Sequence, residues 1–256
     1  MKKLLAGLAI VAATFGNACA QPAKPTIILV HGAFADSSSW NGVVAILEKD
    51  GYSVVAAANP LRGVKSDAGY VADILASIKS PVILVGHSYG GSVISEAAKG
   101  YMNVKALVYV AAFAPDTGET AAQLAGKVPG STLGPTLAPP VSLSSGGKDL
   151  YIQQDKFHEQ FAADVSDSKA KLMAAAQRPI ADAALNEAQT DAAWKEIPAW
   201  FIYGDKDRNI PSEASAFMAA RAHSRETIVV KGASHVVMVS NPLPVAKLIE
   251  DAATSE

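Results

Sequence analysis

The chain has 256 residues, 50% of them hydrophobic, which is enough for one large α/β domain or two small ones with an ample core. A formal net charge of −2, with both signs scattered, excludes the basic footprint of a nucleic-acid binder and a polybasic membrane patch. A single cysteine excludes a cysteine-based structural zinc site and an internal disulfide framework.

The chain opens on a targeting signal. Lys2 and Lys3 give a positive start, Leu4 to Phe15 is a short apolar segment, and Ala18-Cys19-Ala20 supplies small residues at cleavage-site spacing. The segment is too short to span a bilayer comfortably. Residues 1–20 are therefore expected to be a signal peptide cut after Ala20. The mature protein from Gln21 onward would be exported, periplasmic or secreted, with no cysteine and no stable membrane insertion. A lipid anchor on Cys19 is the alternative, although Gly16-Asn17-Ala18 lacks the large aliphatic residue expected at the start of such a site.

Thr26 to Val30 is a β-branched apolar run leading into His31-Gly32-Ala33-Phe34. Trp40 to Lys49 has helical spacing and stops at Gly51. Tyr52 to Ala57 reads as a strand. Ser66 is the expected N-cap of a helix reaching Lys79, with Val71, Ile74, Leu75 and Ile78 on one face. Val82 to Val85 is a strand buried on both faces, followed at once by Gly86-His87-Ser88-Tyr89-Gly90 and a helix from Ser92 to Lys99. Val104 to Val110 is another buried strand.

Strands alternating with helices call for a mostly parallel sheet covered on both faces. From about 115 to 195 the pattern changes to Gly/Pro/Ser-rich loops and two Ala-rich helical stretches, Leu150 to Met173 and Ala181 to Trp194, with no strand. This interval is expected to be a helical cap inserted into the domain spanning 21–256. Alternation resumes with strand Ala199 to Tyr203, helix Ser212 to Ala222, strand Glu226 to Lys231 and helix Pro242 to Ala253.

A strand that turns straight into a helix through Gly-x-Ser-x-Gly is a nucleophile elbow. It holds Ser88 at a strained backbone angle so that the hydroxyl clears the sheet. A serine hydroxyl reacts only when a base takes its proton and a third group orients that base. His235, in the loop after the last strand, lies at the carboxyl edge of the sheet, where open α/β sheets bind ligands. His87 is expected to point away from Ser88, and His31 to buttress its own loop. For the acid, Gly204-Asp205-Lys206-Asp207 follows a strand and precedes His235, and spacing leaves Asp205 and Asp207 nearly even. Backbone N–H groups of Tyr89 and Ala33, with Phe34 next, are the expected oxyanion donors.

At these residues the sequence resembles the α/β-hydrolase superfamily, in the branch of small bacterial carboxylesterases, plant methylesterases and hydroxynitrile lyases. The resemblance rests on His31-Gly32-Ala33 with Trp40, Gly86 to Gly91, Tyr109 to Asp116, and Ser234-His235 with Met238 and Pro242. It implies an α/β-hydrolase fold and a cofactor-free serine hydrolase acting on a small-molecule ester. The family's Gly-x-x-Asp pattern matches Gly204 and Asp207, which favours Asp207. Hydroxynitrile lyases carry Lys after the catalytic His, where this chain has Val236. A haloperoxidase side activity would use the same triad, and a non-catalytic small-molecule binder on this fold is the reading from another class.

Phe34, Phe113, Tyr151 and Phe157, with Tyr89, Phe161 and Trp194, are available to wall a substrate pocket. The alternative is that the cap aromatics only pack the cap onto the sheet. No Arg or Lys cluster sits near the motifs, so an uncharged ester of small to medium size is expected, and no metal site.

Overall fold

The computed structural model describes residues 24–255. The expected signal peptide and its cleavage site lie outside the described residues.

Six strands build the main sheet: β1 (Thr26–Val30), β2 (Ser53–Ala57), β3 (Val82–His87), β4 (Val104–Val110), and, further along the chain, β8 (Ala199–Gly204) and β9 (Thr227–Val230). Their order is β2-β1-β3-β4-β8-β9, and every neighbouring pair is parallel. Parallel neighbours need crossovers, which are supplied by α1 (Asn41–Lys49), α2 (Val64–Ser77), α3 (Gly90–Ala97) and α8 (Ser212–Arg221), with α10 (Pro242–Thr254) closing the chain. The helix α10 lies against β3, β4 and β8 and packs on α1, while α3 lies against β1, β3 and β4 and packs on α2. Covered in this way, all six residues of β3 are buried, and Ile27 to Val30 of β1 have no exposure.

The strand order reverses between β1 and β3. After β1 the chain steps outward to β2, then returns past β1 and builds the rest of the sheet on the other side. At such a switch point the loops leaving two neighbouring strands diverge and open a crevice at their carboxyl ends. The loops leaving β1 and β3 here are Gly32-Ala33-Phe34 and Ser88-Tyr89.

The start of α2 differs from expectation. The helix begins at Val64, and Ser66 lies inside its first turn. The carboxylate of Asp67 accepts the backbone N–H groups of Arg62 and Gly63, so an acidic side chain within the first turn serves the free donors.

The inserted interval also differs. It contains strands after all: β5 (Val141–Ser142), β6 (Lys148–Leu150) and β7 (Ile180–Ala181) form a small antiparallel sheet. Strands of two or three residues are too short to leave a period-two pattern. The two long helical stretches are broken into α5 (Gln154–Phe161), α6 (Asp167–Ala176) and α7 (Asp182–Asn186), with α4 (Ala121–Ala125) ahead of them. Ala162 leaves helical geometry at φ −136°, and Ser166 re-enters as the residue before α6. The short helix α9 (Val237–Ser240), directly after His235, was also not expected.

Candidate active site

Ser88 sits between β3 and α3 at φ 53°, in the left-handed region that a residue with a Cβ rarely adopts. Three backbone hydrogen bonds hold it there. Its N–H donates to Val110, and its carbonyl accepts from Gly91 and Phe113. The approach of strand and helix leaves no space for a side chain at Gly90, where a Cβ would lie 2.3 Å from the carbonyl oxygen of Val30. Strain of this kind persists only where the surroundings over-determine it.

The hydroxyl of Ser88 lies 2.9 Å from Nε2 of His235. On the other side of that ring, Nδ1–H donates to Oδ2 of Asp207 at 2.7 Å. The remaining oxygen of Asp207 accepts the N–H groups of Asn209 and Ile210, so the carboxylate is held by its own loop. Asp205 has a different partner: its Oδ1 accepts the backbone N–H of Gly232, which ties two loops together away from the imidazole. Of the two carboxylates that spacing left even, Asp207 is the one that meets His235.

Gly32 brings the loop after β1 against the elbow. A Cβ there would fall 2.5 Å from Cβ of Ser88 and 2.7 Å from the carbonyl oxygen of His87. The N–H groups of Ala33 and Tyr89 find no protein acceptor among the described residues, whereas Phe34 N–H donates to the carbonyl of Arg178. Of the expected donors, Ala33 and Tyr89 therefore remain available to a ligand, and Phe34 is spent on the inserted segment.

The two other histidines near the elbow are packed as neutral rings. Nδ1–H of His31 donates to the carbonyl of Gly32, and burial pushes the pKa of the ring down to about 4. Nε2–H of His87 donates to the carbonyl of His235, and burial holds His87 well below the usual histidine range. His87 thus anchors the backbone of His235 rather than reaching Ser88.

The aromatic residues divide. Phe161 stacks edge-on to His235 at 5.2 Å and to Phe34 at 6.1 Å. Phe157 is fully buried against Phe161. Tyr89 is fully buried, with its hydroxyl donating to Asp67. Trp194 donates its indole N–H to the carbonyl of Pro115, fastening the inserted segment to the loop after β4. Phe113 is buried beside the elbow, and the carbonyl of Tyr151 accepts from Ala138 inside the inserted segment.

A cavity of about 280 Å³ lies between the loop from Phe34 to Asp36, the start of α1, and the α6 residues Lys169, Leu172, Met173 and Ala176. Ser88 is not in its lining and is only 6% exposed, while Phe34 and Phe161 connect the cavity wall to the ring of His235. Among the described residues, no group of three or more His, Cys, Asp or Glu is placed to hold a metal ion, and no helix is long and apolar enough to cross a membrane.

Residues 27–248 match the alpha/beta hydrolase family. The chain belongs to that family. It is 29% identical to the alpha/beta hydrolase nvfD of Aspergillus novofumigatus, over 90% of this chain and 97% of that protein. It is also 29% identical to a pyrethroid hydrolase of Sphingobium wenxiniae, over 88% and 86% of the two chains. An alpha-hydroxynitrile lyase of Arabidopsis thaliana is 24% identical over 86% and 93%. Among solved structures, polyneuridine aldehyde esterase superposes with a TM-score of 0.77 at 19% identity, covering 89% of this chain and 98% of that one, a likeness of fold. Membership and the hydrolases among the relatives support a hydrolytic activity on a small molecule.

Proposed function

We propose that this protein is a serine carboxylesterase acting on small to medium uncharged esters. The observation that carries the reading is the continuous line Ser88 Oγ, His235 Nε2, His235 Nδ1 and Asp207 Oδ2, with contacts of 2.9 and 2.7 Å. Asp207 accepts from Nδ1, which leaves Nε2 unprotonated and aimed at the hydroxyl, the tautomer that a general base needs.

In this mechanism Ser88 Oγ bonds to the acyl carbon while its proton passes to His235 Nε2, and the carbonyl π pair moves onto oxygen. The N–H groups of Ala33 and Tyr89 stabilise that oxyanion, each donor contributing about 3–4 kcal/mol to the transition state. Collapse of the tetrahedral intermediate breaks the C–O bond, and the leaving alcohol takes the proton from His235. Water then repeats the sequence on the acyl-enzyme, giving a carboxylic acid and free Ser88. Asp207 stabilises the imidazolium in both halves and stays ionised.

The aromatic surroundings of His235 and the mixed lining of the neighbouring cavity suit an apolar, uncharged ester. The lyase reading is disfavoured by Val236, a fully buried side chain where the lyases have Lys. The site as read needs no cofactor. The amino-terminal features support export with cleavage after Ala20, and amino-terminal sequencing of exported material tests this; a lipid-modified Cys19 would overturn it. The activity is tested with nitrophenyl esters of increasing acyl length. Turnover by wild type and none by Ser88→Ala is expected, and equal rates in the two would overturn the assignment.

A further inference from the structure

The side chain of Tyr89 has no part in the reaction as proposed, yet it is buried, and its hydroxyl reaches a buried carboxylate, Asp67, at 2.9 Å. A carboxylate shut away from water is expensive unless several donors serve it. Besides Tyr89, three donors serve Asp67: Arg62 N–H to both oxygens at 3.1 Å, Gly63 N–H at 3.4 Å and the Ser66 hydroxyl at 3.4 Å. Among the described residues, Tyr89 is the one partner that comes from outside the start of α2.

The location gives this bond a consequence. Tyr89 is the residue after the nucleophile, and its backbone N–H is the oxyanion donor on the elbow side. The direction of that N–H depends on the peptide plane between Ser88, held at φ 53°, and Tyr89, at φ −55° and ψ −28°. A tyrosine has only two side-chain torsions, so fixing the far end of the ring restricts the backbone to which it is attached. The anchor is itself braced. The Arg62 guanidinium donates to Asp149 of β6 at 2.6 Å and to the carbonyl of Pro179 at 2.9 Å, so the residues leading into the first turn of α2, which carries Asp67, are tied to the inserted segment.

We propose that the Tyr89 hydroxyl and Asp67 are a positioning pair that aims the Tyr89 backbone N–H at the developing oxyanion. The inference rests on the serine esterase reading above. An oxyanion donor works by being preorganised for charge that appears only in the transition state. A loosened donor therefore slows chemistry while leaving ground-state binding nearly unchanged.

The test compares wild type, Tyr89→Phe, Asp67→Asn and the double variant on a nitrophenyl ester, with active sites counted by fluorophosphonate titration. Binding of a trifluoromethyl ketone, which forms a tetrahedral adduct on the serine, is measured alongside. Each single variant is expected to lose about tenfold in kcat per titrated site, with KM within about twofold and ketone affinity falling in step with kcat/KM. The double variant is expected to be no slower than the slower single one, because both substitutions act on the same bond, Tyr89→Phe by removing its donor and Asp67→Asn by exchanging its charged acceptor for a weaker neutral one. Unchanged kcat per site in Tyr89→Phe, with only the melting temperature lowered, would reduce the pair to a structural role and overturn the inference. Multiplying losses in the double variant would also overturn it. If Tyr89→Phe does not fold, the near-isosteric Asp67→Asn carries the same comparison. Wild type that neither titrates nor turns over would sink the esterase reading itself, a result separable from active wild type with indifferent variants.

Discussion

His235 donates from Nδ1 to Asp207 at 2.7 Å, and both side chains are closed to solvent. A carboxylate in that position holds the ring orientation, the tautomer and the charge that the ring acquires during turnover. Asp205, two residues earlier, spends its oxygen on Gly232 N–H instead. Asp207→Asn is therefore expected to lower kcat by about 10⁴-fold, because an amide favours the wrong tautomer. Asp205→Asn keeps an oxygen that can accept the Gly232 N–H and should stay within about tenfold of wild type. Steady-state kinetics on both variants check the ranking, and the reverse order would move the acid to position 205.

Gly32 is a second point of leverage. Its missing Cβ is what lets the loop after β1 lie against Ser88, since an added methyl would sit 2.5 Å from Cβ of Ser88. Gly32→Ala must push the loop or the nucleophile aside, and about 10²-fold or more of kcat should be lost for displacements near 1 Å. Gly69→Ala is the matched comparison, because a Cβ there meets nothing within 4 Å and the site lies within α2. That variant should keep full activity and gain about 0.5–1 kcal/mol in stability, read from urea unfolding.

Acid should loosen the fold through His31. The buried ring has its pKa lowered from 6.5 to about 4, so between those values the unfolded chain binds the proton and the native one does not. Stability is then full above about pH 6.5 and falls as pH drops toward 4, by on the order of 3 kcal/mol for this group. His87, lowered for the same reason, acts in the same direction. Urea midpoints between pH 7 and pH 4.5 should fall for wild type and fall less steeply for His31→Gln. Equal slopes would show that the ring does not titrate as described.

Much of this molecule was legible in the residues because the strongest signals are local. Val82 to Val85 is apolar on both faces because helices cover both sides of β3, and the turn residues beyond it are those that a strained strand-to-helix corner requires. The last helix, starting at Pro242, carries its own start signal and runs to Thr254. What stayed hidden depends on contacts distant in sequence. Asp67 rather than Ser66 serves the start of α2, and an acidic residue in a first turn is a signal that was present but outranked by the usual cap residue. Phe157 and Phe161, four residues apart, read as ordinary helix packing, and they do pack together, but Phe161 also meets His235. Nothing in the order of residues says which way Tyr89 points, because the elbow breaks the strand's alternation. The two-residue strands β5 and β7 carry too few side chains for a pattern and exist through pairing with β6.

The most direct measurement is fluorophosphonate labelling of the purified protein followed by peptide mass mapping. One adduct is expected, on Ser88, formed with wild type, slowed severely in His235→Ala and absent in Ser88→Ala. A folded wild-type protein that takes no label at Ser88, or labels there equally well without His235, would contradict it.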